Sequence, residues 1–349
     1  MDCSSPWSRA TEAYFFWTGG VALVITGALG IIGSCLILLV LGSSDLKKKV
    51  FYKLLIALAV FDLLFILSYV SLLSYRVFSC NGQDNMFSKL TYPLLNISLT
   101  GSIYMTMAIS LERYLGICHP MAGPRRSSFY IFPVLLVSVI FNFPRFLEKT
   151  FDHVENTSPL NISMIVTEPF THPHLSDSSR YKTAYYMWAA TIFLSIIPLL
   201  SLFYLNGSII WKIYKSSVRL ENFSHNYNKD PKATNILLVT VGAFLACHTP
   251  RILYKLLFYF DYNNNFWLNL TPISQLALVF NSAVNFFIYC LIGDNFKLNF
   301  YQLVKCQGKN NSSVYKVDHI GLRNTLVHQR GNHLLNLPNP RISGNSQKC

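Results

Sequence analysis

Asp62 stands in the middle of an apolar run that is otherwise uncharged. A carboxylate at that depth of a membrane helix costs about 2.5–3.5 kcal/mol on insertion scales, so its side chain must face a bundle interior. Ser102, Asn281, Ser282 and Asn285 lie in other apolar runs, the last three on one helical face at i, i+1 and i+4. One carboxylate and several neutral oxygens can satisfy one another's hydrogen bonds. A second constellation, Glu112-Arg113-Tyr114, closes the third apolar run and continues into Cys118-His119-Pro120. An acid beside an arginine at the end of a span biases a two-state equilibrium, and breaking the pair frees the arginine for a partner. A third is Cys247-His248-Thr249-Pro250. Proline inside a span removes a backbone bond and bends the helix, which makes Pro250 a pivot. None of these groups forms a catalytic site. The sequence shows no metal-spaced His/Cys cluster, no phosphate-cradling glycine loop and no triad at one membrane depth, and His248 reads as a packed core group.

Helices across a bilayer must position these residues. The 349 residues are 52% hydrophobic and 13% charged, about half the charged fraction of a soluble domain. The formal charge of +13 falls in short Lys/Arg clusters between long uncharged runs, the pattern of basic cytoplasmic loops and not of nucleic-acid binding. A span needs about 20 apolar residues, and seven runs qualify: about 19–42, 54–75, 90–111, 128–147, 183–211, 233–260 and 266–292. The first has no basic flank before it and no small-residue cleavage site after it, and so reads as a retained span. The expectation is an all-α membrane protein, a seven-transmembrane helix bundle.

Lys47, Lys48, Lys49 and Lys53 follow span one, Arg125 and Arg126 follow span three, and Lys212, Lys215, Arg219, Lys229 and Lys232 follow span five. Those loops are therefore cytoplasmic, and residues 1–18 form an extracellular N-terminus of a plasma-membrane protein. The glycosylation sequons at Asn156 and Asn161 fall in the loop after span four, which this topology places outside. Two further matches, at Asn96 and Asn206, lie within spans, where the transferase does not reach.

Of eight cysteines, Cys35, Cys247 and Cys290 lie in apolar runs and Cys118, Cys306 and Cys349 on the cytosolic side, which leaves Cys3 and Cys80 as a pair able to meet outside. After span seven, Phe296, Phe300, Leu303 and Val304 recur at i, i+4, i+7 and i+8 with polar residues between. This predicts a short amphipathic eighth helix over 293–306 in the membrane interface. Cys306 at its end is a palmitoylation candidate or an idle cytosolic thiol. Residues 307–349 are rich in Asn, Ser, Gly and basic residues without apolar period and read as a disordered cytoplasmic tail.

The order of motifs resembles the rhodopsin-like G-protein-coupled receptors along the whole bundle. Leu58-Ala59-Val60-Phe61-Asp62, Glu112-Arg113-Tyr114, Pro198, Cys247-His248-Thr249-Pro250 and Asn285-Phe286-Phe287-Ile288-Tyr289 each stand at the matching end of the matching span. Phe141-Asn142-Phe143-Pro144-Arg145-Phe146-Leu147-Glu148, Phe244 through Arg251, and Asn281 through Phe286 look like invertebrate receptors for FMRFamide-type neuropeptides. The resemblance implies an amidated peptide ligand outside and a heterotrimeric G protein, with arrestin, inside. It implies that Glu112, Arg113, Tyr114, Asp230, Pro250, Asn285 and Tyr289 form the switch, that Asp230 restrains Arg113 from the base of span six, and that Asp62, Ser102, Asn281, Ser282 and Asn285 hold sodium in the inactive state. Asp230 also reads as a solvated loop charge.

Some positions depart from the family. Ser34 stands for the span-one asparagine, Phe286 for the span-seven proline and Asn206 for a span-five tyrosine. Ser88 replaces the cysteine that heads span three, and residues 149–182 hold no cysteine, so the family's outer disulfide cannot form. Span seven has no lysine for a retinal Schiff base, and Leu95 replaces the aspartate of amine receptors. A transporter or channel would show repeated halves or several intramembrane charges.

Peptide binding is the leading expectation. Acids Glu148, Asp152, Glu155 and Glu168 could meet a basic peptide. Tyr92, Leu95 and Leu99, at i, i+3 and i+7, would line a pocket with His248, Arg251, Tyr254 and Gln275. Each of these also reads as helix packing or as a solvated loop charge. The alternative function is a chemoreceptor for an environmental small molecule.

Overall fold

A computed structural model of the chain describes residues 13–14, 16–78, 86–123, 125–146, 185, 188–220, 231–260 and 270–306. Seven of its helices are long and apolar enough to cross a membrane. They are α1 (Phe16–Ser43), α2 (Val50–Phe78), α3 (Met86–Cys118), α4 (Ser128–Asn142, prolonged by a 3-10 turn over Phe143–Phe146), α5 (a π-helical turn Ile192–Ile196 continued by Ile197–Leu220), α6 (Pro231–Phe260) and α7 (Leu270–Ile292). A shorter helix, α8 (Asp294–Cys306), follows. Met1–Val304 is one unit and Lys305–Cys349 a second. Residues 307–349, expected to be a disordered tail, lie outside the described residues.

Helix ends and apolar runs differ where water begins. α5 continues to Leu220, past Lys212, Lys215 and Arg219, although the apolar run stops near residue 211. A helix satisfies its backbone internally in either solvent, so hydropathy marks the membrane boundary and not the end of the helix. The π turn before Pro198 has a local cause. Proline has no N–H for the carbonyl four residues back, and the preceding turn widens. Pro231 occupies the first position of α6, where a missing N–H costs nothing.

α3 is the central helix: 72% of its apolar window is buried, against 28% for α4. It packs on α2, α4 and α5, while α7 packs on α1 and α6. Lipid is as apolar as leucine, so these contacts rest on close fit and not on the hydrophobic effect. Gly101 of α3 lies directly against the Phe61 ring of α2, where any Cβ would collide. Gly27, Gly30 and Gly33 form the seam of α1. A Cβ on Gly30 would stand 3.2 Å from that of Ala283, and one on Gly33 would stand 2.9 Å from that of Phe286. Outward-facing Ile25, Ile32, Phe132, Ile140, Leu200 and Phe203 remain exposed, as a lipid-contacting surface requires.

The turn between α1 and α2 carries an exposed ion pair, Lys48 to Asp45 at 2.8 Å. The hydrogen bond and charge of Lys48 hold the Asp45 carboxyl below its ordinary pKa. α8 turns Phe296 inward, where it meets Phe286 and Tyr289 of α7 and stacks near-parallel on Phe300.

Candidate functional site

Three helices converge on Asp62, which is 1% exposed. Ser102 of α3 and Ser282 of α7 donate to its Oδ1 at 2.6 and 2.9 Å, and Asn285 Nδ2 donates to Oδ2 at 2.8 Å. The i, i+3 spacing of Ser282 and Asn285 puts both on the α7 face that looks at α2. Asn281 is buried on the same helix. A carboxylate and two hydroxyls meeting at one point suit a hard cation that takes oxygen ligands, and they also satisfy one another without one. One turn of α7 is thereby tied to the centre of α2 and α3.

At the opposite end of α3 from its first turn, Glu112 Oε2 lies 3.4 Å from Arg113 Nε, with both side chains 21% exposed. This is an ion contact without hydrogen-bond alignment and is worth about 1 kcal/mol or less. The Arg113 guanidinium also lies 3.7 Å from the centroid of the Phe51 ring in the first turn of α2. Stacking of this kind contributes about 0.5–2 kcal/mol, comparable to the ion pair. Tyr114 pairs edge-on with His119 and faces Tyr204 of α5. Nearby, Asn206 Nδ2 donates to Leu202 O at 2.8 Å and to Ser110 Oγ at 3.3 Å, which joins α5 to α3. Tyr289 is buried, and its hydroxyl has no hydrogen-bond partner among the described residues.

Towards the other end of the bundle, Arg145, in the turn that prolongs α4, is a buried cation. Its Nη1 donates to Tyr92 OH at 2.7 Å, and its guanidinium faces the Tyr185 ring at 5.8 Å. Tyr185 OH donates to Phe141 O at 2.6 Å, Phe141 stacks on Phe193 at 4.5 Å, and Tyr104 OH donates to Phe193 O at 2.8 Å. Asn142 holds α4 to α3 through Thr100 Oγ1 at 2.8 Å. Leu95 and Leu99 are buried in the same region of α3. On α6, His248 is buried and stacks on Phe244 at 4.0 Å, and Arg251 is buried one turn further along.

Residues 33–289 match the family model described as "7 transmembrane receptor (rhodopsin family)". The chain belongs to the rhodopsin family of seven-transmembrane receptors. It is a family of multi-pass membrane receptors and not of enzymes. The receptor is 27% identical over 323 residues to the FMRFamide receptor of Drosophila melanogaster, covering 85% of this chain and 57% of that one. It is 23% identical over 305 residues to an FMRFamide peptide receptor of Caenorhabditis elegans, covering 81% and 68%. It is 26% identical over 352 residues to the sex peptide receptor of Drosophila melanogaster, covering 90% and 78%. The receptor thus spans little more than half the length of the fly FMRFamide receptor it matches.

Several expected site residues fall outside the described residues: Asp230, Glu148, Asn156, Asn161, Cys3 and Cys80. Tyr254 and Cys306 are placed on α6 and α8 by backbone alone. Gln275 is half-buried on α7. Ser34, at the departure in span one, is buried with its hydroxyl unpartnered among the described residues, and Phe286, at the departure in span seven, packs on α8. Sequence reasoning singled out neither Phe51 nor Arg145 as a functional position. Arg145 carried a usable signal, a charge closing an apolar span; Phe51 carried none, since one phenylalanine in a helix with many says nothing of the cation above it.

Proposed function

We propose that the receptor binds an amidated, RFamide-like neuropeptide outside the cell and transmits the event to a heterotrimeric G protein by an outward swing of the lower half of α6 about Pro250. The observation that carries this reading is a similarity that runs through 85% of the chain to an FMRFamide receptor. Basic loops after α1, α3 and α5 support a cytoplasmic G-protein face and an extracellular N-terminus. In the resting state Glu112 and Phe51 restrain Arg113, and Asp230 adds a third restraint from the base of α6. Peptide contact with the outer ends of α3, α4 and α6 shifts the equilibrium towards the state with Arg113 released. Tyr92, Leu95, Leu99, Glu148, His248, Arg251, Tyr254 and Gln275 form the peptide side, with Arg145 fixing Tyr92. Sodium at Asp62, with Ser102, Asn281, Ser282 and Asn285, favours the resting arrangement. Arrestin shares the cytoplasmic face after activation.

The test is a calcium or cAMP readout in cells expressing the receptor and challenged with amidated invertebrate peptides and their free acids. A saturable response to peptides ending in Arg-Phe-amide, lost in the free acid, is expected. Silence with confirmed surface expression overturns the peptide reading and favours a small environmental ligand.

A further inference from the structure

At the start of α4, on its outward side, an open groove of about 720 Å³ is lined by Arg125, Arg126, Ser128, Phe129 and Phe132. Both arginines are exposed. Among the described residues no carboxylate forms an ion pair with either. The Arg125 guanidinium lies 4.7 Å from the centroid of the Phe129 ring, which holds the charge over the aromatic mouth of the groove. Below it Phe129, Phe132, Leu136, Ile140 and Phe143 are 53%, 64%, 47%, 63% and 58% exposed. They recur at i, i+3, i+7, i+11 and i+14, so they make a single outward stripe down α4.

At about 1.5 Å per residue this stripe runs roughly 20 Å into the apolar belt. No soluble partner reaches that depth, whereas an acyl chain lies along it by default. Two cations at the membrane surface, directly above such a stripe, are complementary to a phosphate that carries acyl chains. Arginine suits the headgroup because its planar fork matches phosphate oxygens in bidentate geometry.

We propose that this groove binds an anionic phospholipid, with Arg125 and Arg126 on the headgroup phosphate and Phe129 and Phe132 against the glycerol and upper acyl chain. The site needs only that the start of α4 meet a membrane surface. It holds whichever way the bundle is oriented and whatever ligand the receptor recognises.

The full-length receptor in detergent, titrated with phosphatidylinositol 4-phosphate, phosphatidylserine and phosphatidylcholine and followed by native mass spectrometry, tests the site. Retention of the two anionic lipids over phosphatidylcholine is expected, and R125Q and R126Q should each weaken it about fivefold. Neutralising Lys47 and Lys49 in the α1–α2 turn should leave it unchanged. Equal retention of phosphatidylcholine, or an equal loss from the lysine variant, overturns the proposal. The unaltered receptor supplies a second measurement: a photoactivatable acyl chain on the anionic lipid should label residues 128–143. Labelling confined to other helices overturns the proposal, as does full displacement by a soluble inositol phosphate, which would make the groove a site for the headgroup alone.

Discussion

Arg113 sits between an acid 3.4 Å away and an aromatic face 3.7 Å away, and the two restraints are of similar size. Phe51→Leu keeps the apolar volume and removes the ring, so about 1 kcal/mol of restraint disappears and the resting equilibrium shifts about fivefold towards activity. Ligand-independent G-protein signalling in transfected cells should rise accordingly, and unchanged basal signalling would assign Phe51 to packing alone. Arg113→Ala should leave surface expression largely intact and abolish G-protein activation; loss of expression would make the arginine structural. At Asp62 the two readings of the polar core part company. Asp62→Leu strands the donors of Ser102, Ser282 and Asn285, at about 1–3 kcal/mol each, and should lower thermal stability sharply. Asp62→Asn keeps the shape and loses the charge. If sodium binds there, replacing sodium by potassium should alter peptide affinity in the unaltered receptor and not in this variant.

Between elements, the α2–α3 contact depends on having no side chain at Gly101. Gly101→Leu drives a branched chain into the Phe61 ring, one turn or less from Asp62, and neither helix can yield without moving Ser102 off its carboxylate. Overpacking of this order costs about 1–3 kcal/mol or more. A fall in melting temperature together with loss of any sodium dependence is expected, and a stable receptor with an intact sodium response would show that the helices can separate locally. α7 is held in the same physical terms. Phe286 leaves the α7 backbone ladder uninterrupted, where a proline would break it, and adds an aromatic contact to α8, so the two helices are held by a Phe286, Phe296 and Phe300 cluster.

For the molecule as a whole, the proposed orientation rests on the charge of the loops. With the proposed orientation Asn156 and Asn161 are outside, so the receptor expressed in animal cells should lose apparent mass on glycosidase treatment, and Asn156→Gln with Asn161→Gln should remove that shift. A receptor whose mass never responds would place this loop inside and reverse the topology. The lipid groove at the start of α4 would survive such a reversal; the G-protein face would not.

The amino-acid sequence by itself determined the number of spans, their approximate limits and the receptor family, because a bilayer demands about 20 apolar residues per helix and tolerates few charges, and these demands are written locally. It also marked Asp62 and Arg113, since an ionisable group in an apolar run is conspicuous wherever its partners lie. Only the tertiary structure decided who those partners are. Phe51 lies under Arg113, Tyr92 accepts from Arg145, and Gly101 yields to Phe61 through contacts between helices distant in the chain, and helical periodicity tells which face is buried but not which neighbouring helix covers it.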